Sequence, residues 1–209
     1  MNSPPPRYRT QIGAASLIVA PALMSIGDLM HPRESWDSPT QVAIIAAATT
    51  RWYLAHLFLL IGLLLLGPGI LLLTRMVALR RPALGYASRV LILASVGALS
   101  AVFAFEMLLG AFVASVDERA AVALIDTFNS RVFIALMPGL LAFFVGTGLF
   151  VAPLASTAGP LRWPAVGFGL GALFILGEIV SAQVILSQIG NVLIFLAGTG
   201  FAMVLRNDA

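Results

Sequence analysis

Of 209 residues, 60% are hydrophobic and only 10% are charged. A soluble domain carries about 25% charged residues, so this chain has too little polar surface to cover a water-facing globule. Its basic residues are all Arg, 12 against 9 acids for a net charge of +3, with no aromatic-interleaved basic patch to suggest nucleic acid, and the absence of Cys excludes disulfides, thiolate metal sites and lipidated cysteines.

The remaining solvent is a bilayer, where helices satisfy their own backbone. A span needs about 20 predominantly apolar residues. Six stretches qualify: 11–30, 52–74, 89–115, 132–153, 163–186 and 190–205, in a single membrane domain covering 1–209. The fold expected is therefore all-α, a six-transmembrane-helix bundle. Arg7 and Arg9 precede the first stretch, but no small-x-small cleavage site follows it, so it reads as a retained helix with a mild kink at Pro21.

After the first span, Ser38-Pro39-Thr40-Gln41 offers an N-cap, a Pro at the first helical position and a Gln at the third. After the third span, Asp117 is placed to cap a turn that puts Ala121, Leu124, Ile125 and Phe128 on one face. Two short helices are thus expected at one end of the bundle. "VAPLASTAGP" and "LSQIGN" mark the soft edges around the fourth, fifth and sixth spans.

Six spans put both termini on one side. That side holds Arg7, Arg9, Arg75, Arg80, Arg81, Arg89, Arg162 and Arg206, and the other only Arg33, Arg51, Arg119 and Arg131. The excess marks the termini as cytoplasmic. An Arg-only composition rich in Ala, Gly, Leu and Pro suggests a GC-rich bacterial genome and hence a bacterial cell membrane.

The odd spans share a pattern. "ALMSIGDLM", "AVFAFEML" and "ALFILGEIV" each carry one acid, Asp28, Glu106 and Glu178, toward the outer end. The even spans each carry Gly-x-Gly near the inner end, at Gly67/Gly69, Gly146/Gly148 and Gly198/Gly200. Three tandem helical hairpins in a pseudo-threefold arrangement are the expectation. The glycine pairs lack the strand and the Lys or Ser/Thr of a phosphate loop, so they read as sites of close helix approach, as does Gly167-x-x-x-Gly171.

A carboxylate at the centre of a membrane helix costs about 2.5–3.5 kcal/mol on insertion scales, so it faces a cavity, a partner or a proton. Arg51 and Arg131 open the second and fourth spans, and Arg51 is the expected bidentate partner of Asp28 or Glu106. Asp28 and His31, three apart, share a face, and with His56 they offer nitrogen and oxygen ligands to a divalent metal. The candidate ligand-binding set is Asp28, His31, Arg51, His56, Glu106, Arg131 and Glu178. Trp36, Trp52 and Tyr53 suit an interfacial belt. No Gly-x-Ser-x-Gly element accompanies the serines.

The stretch "GDLMHP…RWYLAHLFLLIGLLLLGPGILLL", within residues 13–75, resembles small bacterial multi-span membrane proteins that are conserved without an assigned function. The resemblance implies a membrane fold and a shared site at Asp28, His31, Arg51 and His56. The function expected is a polar, outward-facing site for a small molecule or ion, serving transport or sensing. A structural or accessory subunit and a metal-dependent membrane enzyme are the alternatives. The bilayer is the principal partner, and a homo-oligomer is compatible with the composition.

Overall fold

Long apolar runs separated by short polar breaks give helices and no strand among the described residues, which in this computed structural model are 7–181 and 183–207. In chain order they are α1 (Arg7–Met30), α2 (Ser38–Ala47), α3 (Thr49–Arg80), α4 (Pro82–Val113), α5 (Glu118–Thr127), a π-helical turn (Phe128–Val132), α6 (Phe133–Ala155), α7 (Arg162–Ser181) and α8 (Val184–Asn207). All but α2 and α5 are long and apolar enough to cross a membrane, as a multi-pass membrane protein requires. At 32 residues, α3 and α4 each extend about 48 Å, beyond a hydrocarbon core of about 30 Å.

The breaks have local causes. Pro82 disfavours helical backbone at the residue before it, and Arg81 sits at φ −138°, ψ 78° between α3 and α4. Asp117 caps α5 by accepting from the Ala120 N–H at 2.8 Å, and Ala121, Ile125 and Phe128 turn inward as the sequence predicts. The cap of α2 lies one residue earlier than expected. Asp37, and not Ser38, accepts from the Thr40 N–H at 3.1 Å. Ser38 donates instead to Asp126 Oδ1 of α5 at 2.5 Å, tying the two short helices together.

The boundary between the last two spans also differs from the expectation. Helix α7 ends at Ser181, α8 begins at Val184, and "LSQIGN" lies inside α8. Its polar side chains read as a loop, but a helix accommodates them where they face protein instead of lipid.

The long helices form a closed series: α1 packs on α3, α3 on α4, α4 on α6, α6 on α7, α7 on α8, and α8 returns to α1. Glycine permits the tightest of these approaches. A Cβ on Gly198 would meet the Leu17 carbonyl oxygen at 1.9 Å, and one on Gly171 the Gly190 oxygen at 2.7 Å. Within each Gly-x-Gly of α3 and α6 only one glycine is pressed: Gly69 against Leu17 and Gly146 against Ile92, while Gly67 and Gly148 face open space. The main core, around Leu17, Leu66, Ile70, Leu73, Phe150, Phe168 and Phe201, occupies the half nearer the termini. A second cluster of Val42, Ile45, Trp52, Leu109 and Ile125 sits beneath α2 and α5.

Candidate functional site

Along α3, the buried face reads Trp52, His56, Leu59 and Leu63 before it joins the main core at Leu66. That first half lines a cavity of about 240 Å³ at the α2/α5 end of the bundle. The walls are mostly apolar, with Met24, Phe103, Met137, Phe143 and Ile175 among them. Set into these walls are Asp28, Glu34, Glu106 and Glu178, both histidines, Ser187 and Asn191; among the described residues no Arg is on the lining.

Helix geometry explains the convergence from α1 and α3. Trp52 and His56, four residues apart, lie on one face of α3, and their rings sit 4.5 Å apart. The chain leaves α1 at Met30, and His31 folds back so that its ring lies 5.0 Å from Trp52 and 4.7 Å from His56. Each histidine spends one ring nitrogen on a main-chain carbonyl: His31 Nδ1 on Pro32 O at 2.7 Å and His56 Nδ1 on Trp52 O at 2.8 Å. The other two nitrogens face each other, Nε2 to Nε2, at 3.1 Å. Glu34 Oε1 stands 3.5 Å from His31 Nε2.

The carboxylates divide into two kinds. Asp28 is satisfied by α8: Asn191 Nδ2 donates to Oδ2 at 3.2 Å and Ser187 Oγ lies 3.1 Å from Oδ1. This ties α1 to α8 across the cavity wall. Glu106 is different. Its Oε2 is buried without a hydrogen-bond partner, as is Asn191 Oδ1. Glu34 lies within electrostatic reach of both Glu106 and Glu178. Its own carboxyl has surface exposed to the cavity, yet protein surrounds it. That enclosure, with the Asp28 charge adding to it, pushes its pKa up to about 7. Burial likewise lowers the His31 pKa, against the Pro32 carbonyl and Asp28, which raise it.

Five of the seven sequence candidates therefore line one cavity: Asp28, His31, His56, Glu106 and Glu178. The two arginines do not. Arg51 is exposed and donates through Nε to the Met30 carbonyl and through Nη2 to the His31 carbonyl at 3.4 Å, so the expected Arg–carboxylate pair is replaced by a cap on the end of α1. The reason is direction: the guanidinium lies over the α1 terminus, where unsatisfied carbonyls wait, while Glu106 faces the cavity. Arg131 is exposed in the π-helical turn and lines no part of the cavity.

The metal expectation also changes shape. The histidines stay together, but Asp28 is taken up by α8, and no three histidine or acidic groups among the described residues form a ready-made cluster. Trp52, expected in an interfacial belt, is buried against both histidines, and its Nε1 donates to the Glu106 carbonyl at 2.7 Å. Trp36 and Tyr53 are exposed. Glu34, Ser187 and Asn191 were not among the site residues expected from the sequence, nor was Trp52, expected only in the belt. Only Trp52 carried a usable signal, its i, i+4 spacing to His56.

No family matches the chain, and neither does any curated protein or solved structure.

Proposed function

We propose that this chain is a multi-pass protein of a bacterial cell membrane whose cavity, open to the outer side, takes up a small cation for transport or sensing. The observation that carries this reading is the cavity's chemistry. It presents four carboxyl groups and, among the described residues, no Arg, and two of its buried acceptors, Glu106 Oε2 and Asn191 Oδ1, have no donor. A buried acceptor without a partner costs about 1–3 kcal/mol, and a bound cation or donor removes that cost. Arg asymmetry supports the orientation, since the cavity lies at the Arg-poor end. Three tandem hairpins related by a pseudo-threefold axis remain the proposed origin of the layout, with one acid from each odd span at the same end.

A second reading, a structural or accessory subunit, draws on Asp28, whose bonds to Ser187 and Asn191 resemble a helix clasp. Thermal unfolding in detergent with tetramethylammonium, sodium, magnesium and zinc chlorides separates the two. A cation site predicts that at least one salt stabilises the folded protein progressively, by about 2.7 kcal/mol at a hundredfold excess over Kd with a matching rise in Tm, and that Glu106→Gln abolishes the rise. If no cation stabilises the folded protein, the accessory reading takes its place.

A further inference from the structure

The histidine pair presents three contacts that each need a positive centre. Carbonyl oxygens only accept, so the contacts to Pro32 O and Trp52 O place the single proton of each neutral imidazole on Nδ1. Both Nε2 atoms are then bare, with lone pairs converging at 3.1 Å. Two neutral rings supply two protons for three contacts, and the Nε2–Nε2 contact is the one left without. Glu34 Oε1 stands 3.5 Å from the same His31 Nε2.

We infer that His31 Nε2, His56 Nε2 and Glu34 bind a divalent first-row transition metal ion, making that ion the cation of the site proposed above, on which this inference rests. Two nitrogens on one tetrahedral Zn²⁺ at about 2.0–2.1 Å lie roughly 3.3 Å apart, near the observed separation. Metal-bound histidines also commonly anchor their other nitrogen on a carbonyl, which fixes tautomer and ring orientation; both rings here do so. Imidazole with carboxylate is a donor set suited to zinc and its neighbours. A proton bridges only two atoms, whereas here Glu34 Oε1 also approaches His31 Nε2, at 3.5 Å, and Glu106 Oε2 stands without a hydrogen-bond partner in the same cavity. Glu34 belongs to the 31–37 connection outside any helix.

The test is titration of the EDTA-stripped full chain in detergent with Co²⁺ at neutral pH. The expected result is saturable binding with visible d–d absorption and two paramagnetically shifted exchangeable Nδ1–H resonances, since the chain has two histidines. His31→Ala and His56→Ala should each weaken binding on the order of tenfold or more, and Glu34→Gln less. If those variants fail to fold, the shifted resonances of the unaltered protein decide the matter alone. A folded protein that takes no Co²⁺, binding unchanged in both histidine variants, or a shared imidazole proton seen by ¹⁵N NMR that Co²⁺ does not displace would overturn the metal. Stabilisation by tetramethylammonium without Co²⁺ binding removes only the metal, whereas loss of both removes the cation site too.

Discussion

Arg51, expected to pair with a carboxylate, caps a helix end instead, and Glu34, given no role by the sequence, stands beside His31. Arg51 closes the end of α1 through two carbonyls, so Arg51→Ala should cost about 1 kcal/mol, the value of an ordinary hydrogen bond. Because it does not touch Glu106, the losses from Arg51→Ala and Glu106→Gln should add to within about 0.5 kcal/mol in the double mutant. Thermal unfolding of the four proteins in detergent checks this, and a larger coupling would restore the ion pair. Glu34, an acid of the loop after α1, has a raised pKa. Its folded-state pKa of about 7 exceeds the ordinary value of 4.5, so the folded chain holds a proton that the unfolded chain releases. Between those values the folded state binds more protons, and its stability falls as pH rises. Metal-free protein should therefore lose stability from about pH 4.5 to 7, and Glu34→Gln should flatten that slope.

At the scale of helices, small residues decide which faces meet. The Gly-x-Gly pairs were legible as packing features, but not which glycine of each pair is pressed. Gly198 lies against the α1 backbone, where a Cβ would meet Leu17 O at 1.9 Å, whereas Gly67 has nothing within 4 Å. Gly198→Ala should therefore cost about 1–3 kcal/mol or more through forced displacement of α8 from α1. Gly67→Ala should leave Tm unchanged or raise it slightly, since Ala is the better helix former. Equal Tm losses in the two variants would mean that the α1–α8 contact is wrongly drawn. The short helices teach a related lesson. Asp117 was readable because a cap is a local bond, but Ser38 was misread as one because its partner, Asp126, lies 88 residues away.

For the whole molecule, the asymmetric arginines and the position of the cavity lead to one expectation. Reporter fusions after residue 209 and within 33–50 should fall on opposite sides of the membrane, the first on the cytoplasmic side. A periplasmic C-terminus would reverse the cavity's orientation and leave its chemistry intact. The closed series of helices, with α8 returning to α1, also makes the site depend on the chain's two ends. Asp28 and its partners Ser187 and Asn191 come together across the full length of the fold.

Composition and apolar run length alone determined the solvent, the helical class and the number of spans, because a bilayer admits few backbone solutions and a rise of about 1.5 Å per residue converts thickness into chain length. They also placed one acid near the same end of each odd span. Tertiary structure decided the rest. These helices are apolar on nearly every side, so no amphipathic stripe tells which way each is rotated. That rotation gives Asp28 to α8, turns Glu106 into the cavity and sets His31 against His56. It also explains the misplaced boundary at "LSQIGN". Polar residues inside a span look like a loop until a buried carboxylate from another helix is found to need them.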